Sequence, residues 1–420
     1  MKRLLLISYL WPPASGAGVH RPVKFARYLG RFGWDPLVLT ARRPAALAHD
    51  PGLAANLPPE LEVVRLFNLE AGGGGNGAAA GAPAGWRSWL AGLLFPDRHV
   101  LWLATGLPRA LAAARKGRVR AVLATAPPFT SLVLGWLVAR RMGLPLVLDF
   151  RDVWSGFYSR GYQPGKAGRL RLELTRRLEG RLVRGAAAVI TASPSHAREL
   201  ARLYGGPPDK FTWIPNGFDP ADFAGEPPPA PEGGKFTLLY TGTIFRVTSL
   251  RHLWAGLELL DQDERARLRV KVVGRAAGGE VTDPGLPGLE VVVSGHLDHA
   301  EVVRQQRAAS ALVLTLEEMP GSWRVIPSKL YEYLAARRPI LALTAPGEAS
   351  AIVEACHAGR VVPPGDPGAV AQVLRSWLEQ PPPPPPPPPA LFDRVEQTRL
   401  LSQVLARACP AGRGGERRES

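Results

Sequence analysis

The sequence predicts an α/β protein of two Rossmann-like parallel-sheet domains facing a cleft. Short apolar runs of strand length alternate with helical stretches along the 420 residues, the order expected when parallel strands are joined by helical crossovers. A chain of this length with 46% hydrophobic and 21% charged residues can bury two sizeable cores. Near the middle, Asp219 to Gly234 is rich in Pro, Gly and acid and interrupts the alternation. It reads as the core of a linker over residues 216–235, with one domain at 1–215 and another at 236–380.

In the first domain Arg3 to Tyr9, Pro36 to Leu39, Ala121 to Thr125, Leu146 to Phe150 and Ala187 to Thr191 read as strands. Helices are expected at His20 to Phe32, Thr130 to Met142, Arg169 to Arg184 and Pro194 to Tyr204. Met1 to Leu10 has the basic start of a leader peptide, but its apolar run is short and ends at Pro12-Pro13 without a small-residue cleavage site, so it reads as the first strand. The longest apolar run, Ser131 to Ala139, is broken by Arg140-Arg141 and is too short to span a bilayer. Residues 71–85, nearly all Gly, Ala and Pro, read as a flexible loop.

In the second domain strands are expected at Phe236 to Thr241, Arg269 to Val273, Leu289 to Val293, Ala311 to Leu316, Ile340 to Leu343 and Arg360 to Val362. Pro381 to Pro389 is a polyproline II rod of roughly 28 Å, suited to a spacer. Leu391 to Ala408, within a segment 390–408, reads as a closing helix, and residues 409–420 as a charged, disordered tail.

Two cysteines, Cys356 and Cys409, offer no disulfide framework and suit a reducing cytoplasm. Charge is unevenly divided: residues 1–215 carry 30 Lys+Arg against 12 Asp+Glu, and the remainder 22 against 24. Within the basic half, Arg169, Arg171, Arg176, Arg177, Arg181 and Arg184 interleave with Leu170, Leu174, Leu178 and Leu182 at helical spacing. A basic amphipathic helix of this kind suits an anionic membrane surface, and equally a packed helix with a solvated Arg face. No zinc-finger spacing, RNA-binding motif or basic heptad pattern points to nucleic acid.

The stretch Pro327 to Leu341 carries the most chemistry. Pro327 suits a first helical position, Pro339 stops the helix, and a buried strand follows. A helix start attracts phosphate; Glu332, about one turn in, accepts hydrogen bonds from a ribose; Lys329 supplies charge for a diphosphate. In the first domain, Pro12 to Gly18 leads from strand to helix, and Gly16 and Gly18 allow the backbone to approach a ligand. A dinucleotide fingerprint would need another Gly where Arg21 stands. Asp149, Arg151 and Asp152 crowd the carboxyl edge of a strand, where charges must pair or act. Asp261-Gln262-Asp263 imitates a metal motif at a polar helix end, and His296 and His299 flank Asp298 without a third ligand, so no metal site is expected.

These segments together resemble the GT-B-fold glycosyltransferases of family 4, in the branch reading P-(S/G)-K-L-Y-E-Y. The likeness runs from Leu4 to about Leu378 and includes Thr125-Ala-Pro-Pro-Phe129, Leu148 to Trp154, Ile214-Pro-Asn-Gly-Phe-Asp219 and Tyr240 to Arg246, with Pro96-Asp97 and Trp102 adding to it. It implies that Glu332 holds the ribose of a nucleotide-sugar, with Gly242, Ser328 and Gly321 also on the donor side. Arg246 and Lys329 would stabilise the leaving diphosphate. Gly16, Gly18, Arg151 and Asp152 would lie on the side of the acceptor and transferred sugar. The usual first Glu of the family's E-x7-E is Arg324 here. The implied activity is retaining, metal- and cofactor-independent sugar transfer to a cell-envelope glycan or lipid-linked acceptor, with the closing helix packed on the first domain. The protein would be cytoplasmic, peripheral on the membrane through Arg169, Arg176, Arg177, Arg181 and Arg184. A GT-B-fold epimerase and a non-catalytic binding subunit of a polysaccharide-assembly complex are the alternatives.

Overall fold

The computed structural model describes residues 1–15, 17–44, 48–49, 52–55, 57–68, 94–152, 154–155, 166–226, 228, 234–295 and 297–409. The expected loop at 71–85, Gly16, His296 and the tail from residue 410 lie outside the described residues. The chain divides into two compact units, Met1–Asn216 with Arg394–Ser420, and Gly217–Asp393.

The first unit runs β1 (Lys2–Ile7), β2 (Ala14–Ser15), α1 (Ala17–Leu29), β3 (Trp34–Ala41), β4 (Ala48–His49), α2 (Gly52–Ala55), β5 (Val63–Leu66), α3 (Trp102–Lys116), β6 (Ala121–Ala126), α4 (Thr130–Met142), β7 (Leu146–Phe150), α5 (Lys166–Gly185), β8 (Ala188–Thr191), α6 (Pro194–Tyr204) and β9 (Phe211–Trp213). Seven strands form a parallel sheet in the order β5-β3-β1-β6-β7-β8-β9, and β2 pairs antiparallel with β4. Alternation along β1 sends Leu5 and Ile7 into one core and Leu4 and Leu6 into the other. A sheet covered on both faces needs such two-sided apolar strands.

The second unit runs β10 (Phe236–Thr241), α7 (Arg251–Glu258), α8 (Gln262–Ala266), β11 (Leu268–Val273), β12 (Glu290–Ser294), α9 (His299–Ala308), β13 (Ala311–Leu316), α10 (Lys329–Ala336), β14 (Ile340–Thr344), α11 (Glu348–Ala355), β15 (Gly359–Val362) and α12 (Pro367–Glu379). Its six parallel strands are ordered β12-β11-β10-β13-β14-β15. Leu238 and Tyr240 of β10 point to the α7 and α12 side, Leu239 to the α10 side. After α12, every third proline (Pro382, Pro385, Pro388) is less exposed than its neighbours, the period of polyproline II, and Arg337 Nε donates to the Pro385 carbonyl at 3.1 Å. The last helix, α13 (Arg394–Ala408), buries Leu401, Val404 and Leu405 with Val23 and Ala26 of α1 in the first unit.

The structure departs from several sequence expectations. Pro327 lies outside α10, which begins at Lys329 after Ser328, and the helix ends in a left-handed Arg337 (φ 53) ahead of Arg338-Pro339. The residue before a proline disfavours helical backbone, so the end at Ala336 agrees with the stop expected at Pro339. Asp261 caps the start of α8, where a helix end was expected: its side chain accepts from the Glu264 N–H while Glu264 reaches back to the Asp261 N–H, a capping box. Helix α3 and strand β5 were not foreseen; α3 contains Gly106 and Pro108, which weaken a helical pattern.

Candidate functional site

In the second unit the carboxyl end of β10 meets the first turn of α10. The chain leaves Thr241 through Gly242 at φ +111, a backbone that side chains other than hydrogen rarely adopt. Gly274, which follows β11, presses against it: a Cβ there would stand 2.1 Å from the Gly242 carbonyl oxygen. The strand ends thereby approach one another as no larger residue would allow.

Lys329 reaches this turn from α10. Its Nζ lies 3.7 Å from the centroid of the Tyr240 ring, and a Cβ on Gly242 would come within 3.3 Å of it. The residue as a whole is half-buried, but the Nζ is closed off from solvent and has no hydrogen-bond partner among the described residues. Burial pulls its pKa down from 10.5 to about 7, against an upward pull from Glu332. A cation over a ring face with no acceptor is suited to receive an anion.

Glu332 follows three residues later on the same helical face. Its carboxylate accepts from Gln306 Nε2 at 3.2 Å, and Oε1 lies 4.0 Å from His299 Nδ1, with a quarter of the side chain (25%) exposed. His299 Nε2 lies 3.3 Å from Asp222 Oδ2. Gln306 is wholly buried and its Nε2 also points to Thr241 Oγ1 at 3.4 Å. The Thr241 N–H donates to Tyr333 Oη at 2.9 Å. One network thus ties β10, α9 and α10 around Glu332 and holds its carboxylate in place.

Of the residues predicted for the donor side, Lys329, Glu332 and Gly242 come together here. Ser328 is exposed and makes no capping bond with its side chain; Gly321, at φ +83, opens the 3₁₀ turn Ser322–Arg324. Arg324 stacks its guanidinium 4.7 Å from the Trp323 ring centroid. Arg246 is exposed in the turn Arg246–Thr248 and lines a cavity of ≈ 400 Å³ shared with Arg251, Trp254, Glu280, Glu317 and Glu318. His299, Gln306 and Tyr240 were missed by sequence reasoning as parts of the site. Helical spacing places His299, Val303 and Gln306 on one face of α9, so a buried Gln on that face was the available signal.

In the first unit the charges at the end of β7 are held by structure. Asp149 pairs with Arg21, both fully buried: Nη2 donates at 2.9 Å and Nε at 3.1 Å, while Thr125 Oγ1 donates to the same carboxylate at 2.9 Å. Arg21 Nη1 donates to the Ile214 and Pro215 carbonyls at 2.9 and 2.7 Å. Arg151 directs its guanidinium to backbone, donating to Ala126 O at 2.9 Å, Pro127 O at 2.8 Å and Gly18 O. Burial lowers its pKa while Asp149 and Asp152 raise it. A Cβ on Gly18 would stand 3.1 Å from Arg151 Nη1, so the glycine makes room for that guanidinium. Asp152 is exposed. Asp97 accepts from the Thr130 N–H and Oγ1 at 2.9 and 2.6 Å, capping α4 from a distant segment.

Helix α5 exposes Arg169, Arg176, Arg177, Arg181 and Arg184 together with Leu170 and Leu174, while Thr175, Glu179, Leu182 and Val183 face inward. Arg171 stands apart, donating to the Leu94 and Pro96 carbonyls at 2.8 and 3.3 Å. Among the described residues, no helix is long and apolar enough to cross a membrane, and no three His, Cys, Asp or Glu side chains gather as a metal set.

Comparison with known proteins follows the same division. Residues 20–222 match the model of Glycosyltransferase Family 4, and residues 235–380 that of Glycosyl transferases group 1. The D-inositol 3-phosphate glycosyltransferase of Streptomyces coelicolor is 28% identical over 285 residues, which span 59% of this chain and 59% of that protein. Among solved structures, HepE of Anabaena in complex with UDP-glucose aligns over 97% of both chains with a TM-score of 0.58 at 15% identity. WaaG, a glycosyltransferase involved in lipopolysaccharide biosynthesis, aligns over 97% of this chain and 100% of its own with a TM-score of 0.59 at 15% identity. The two Rossmann-like parallel sheets and these neighbours give the chain the GT-B fold, and its two halves match, in order, two glycosyltransferase family models.

Proposed function

We propose that the protein transfers a sugar from a nucleotide-sugar to a cell-envelope glycan or lipid-linked acceptor, with retention of configuration. The observation that carries the donor half of this reading is the partnerless Nζ of Lys329, seated against Gly242 and Tyr240 beside the fixed carboxylate of Glu332. A cation next to an acceptor-only group at the carboxyl ends of parallel strands has the chemistry of a diphosphate joined to a ribose.

In this reading Glu332 accepts the ribose hydroxyls, and Lys329 and Arg246 offset the charge that develops on the leaving diphosphate. Gly242, Gly321 and Ser328 belong to the loops bordering the donor. The acceptor attacks from the face the diphosphate leaves, and a phosphate oxygen takes its proton, so no side-chain base is required. No cofactor or metal takes part; the nucleotide-sugar is a co-substrate. In the first unit, Gly16, Gly18 and Asp152 belong to the acceptor and transferred-sugar side, and Arg151 contributes by fixing the Gly18 and Pro127 carbonyls. The envelope acceptor is supported by the basic, Leu-bearing face of α5, which suits the cytoplasmic surface of a plasma membrane.

Calorimetric titration with nucleoside diphosphates tests the reading. Removing a carboxylate that accepts charge-assisted bonds costs about 1.5–3 kcal/mol per bond, so Glu332→Ala weakens nucleotide binding at least about tenfold, and Glu332→Gln less. Equal affinity in wild type and Glu332→Ala on folded protein rules the donor reading out.

A further inference from the structure

The cavity of ≈ 400 Å³ in the second unit falls in the size range of small-molecule sites and has a built polar wall. Glu317, the residue after β13, lines it and is 6% exposed. Its Oε2 accepts from Arg251 Nη2 and lies 3.1 Å from His252 Nε2, whereas Oε1 is buried with no partner among the described residues. A buried carboxylate oxygen without a donor is costly unless a ligand supplies one. Trp254 forms another wall, its indole fixed by donation from Nε1 to the Val281 carbonyl at 2.9 Å. Glu280 and Glu318 add two more carboxylates, and Arg246 lines the cavity beside Arg251, which pairs with Glu317.

The loop that begins at Gly242, beside Lys329, ends at Arg246 on the cavity wall. Five residues of chain, Gly242 to Arg246, thus connect the proposed diphosphate side to this space. We propose that the cavity seats the donor's sugar ring and that Glu317 is the specificity residue, taking a hydroxyl or ammonium hydrogen at Oε1 and turning away sugars that carry a carboxylate. The proposal rests on the nucleotide-sugar reading given above. It adds the substrate class: a hydrogen-bond-donating, non-acidic sugar.

The test uses UDP, GDP, ADP and dTDP and, for the diphosphate bound most tightly, its conjugates with glucose, glucosamine and glucuronic acid. Wild type is expected to bind a neutral or amino conjugate at least about tenfold more tightly than the uronate, and Glu317→Gln to lose about tenfold for the preferred conjugate while its affinity for the diphosphate alone stays within about twofold. The same variant should narrow the margin against the uronate. Equal wild-type affinity for uronate and neutral conjugates overturns the proposal without any variant. Unchanged conjugate binding in Glu317→Gln, or equal losses for conjugate and diphosphate, overturns it as well while leaving the donor reading intact. Failure of wild type to bind any of the diphosphates overturns both.

Discussion

In the donor reading proposed above, Lys329 links stability to ligand binding through a single proton. Its pKa falls from 10.5 to about 7 because the ammonium is buried, so below about pH 7 both folded and unfolded chains carry the charge and the folded state bears the full cost of burying it. Between about pH 7 and 10.5 the unfolded chain binds more protons, stability rises with pH, and above 10.5 the cost is gone. Lys329→Met should therefore raise the melting temperature by several degrees at pH 6, with the gain shrinking to nothing near pH 10.5. Melting curves of both proteins across that range check this; a gain independent of pH would mean that burial of charge is not its source. A diphosphate placed beside the Nζ raises the pKa again. Nucleotide binding at pH 8 should then take up a fraction of a proton, visible as different binding enthalpies in HEPES and Tris, with little uptake at pH 6 and none in Lys329→Gln.

At the scale of elements, α5 shows how a periodic pattern divides between core and surface. Thr175, Glu179, Leu182 and Val183 form its buried side, leaving Leu170 and Leu174 (62% and 43% exposed) among arginines on the other. Each basic residue near an anionic membrane contributes about 1 kcal/mol, screened by salt. The triple change Arg176→Glu, Arg177→Glu and Arg181→Glu should release the protein from anionic vesicles at low salt and leave nucleotide affinity unchanged. Persistent co-sedimentation of the triple variant would show that α5 is not the membrane contact. Helix α10 makes the complementary point: its sequence announced Glu332 and Lys329, but the burial that tunes Lys329 comes from Tyr240 and Gly242, nearly ninety positions earlier in the chain.

At the scale of the molecule, each unit is built on one large parallel sheet between two apolar layers, and the last helix returns to the first unit to complete the layer over α1. Arg21 anchors that unit internally, joining α1 to β7 through Asp149 and to the carbonyls of Ile214 and Pro215, where the first unit ends. Arg21→Ala strands a buried carboxylate and should cost about 3–5 kcal/mol, read as a lower denaturation midpoint. Asp149→Asn with Arg21→Met should recover part of that loss, since removing both charges removes the desolvation penalty. A single variant as stable as wild type would mean that Asp149 is hydrated.

The sequence by itself determined the fold class, most strands of both sheets and the Lys329–Glu332 pair, because these depend on local periodicity and on spacing within one helix. Phe236–Thr241, Ala311–Leu316 and Thr130–Met142 were legible to the residue, bounded by turn or capping signals. Tertiary structure alone decided which charges remain available. Asp149, Arg151 and Asp152 look alike in sequence, yet one is consumed by Arg21, one by backbone carbonyls, and one stays exposed. Gln306 and His299 meet Glu332, and Glu317 lines a cavity, only because parallel strands bring distant chain ends to one edge of the sheet. Hydrogen-bond partners and desolvation are set by such long-range neighbours, and a local pattern carries no record of them.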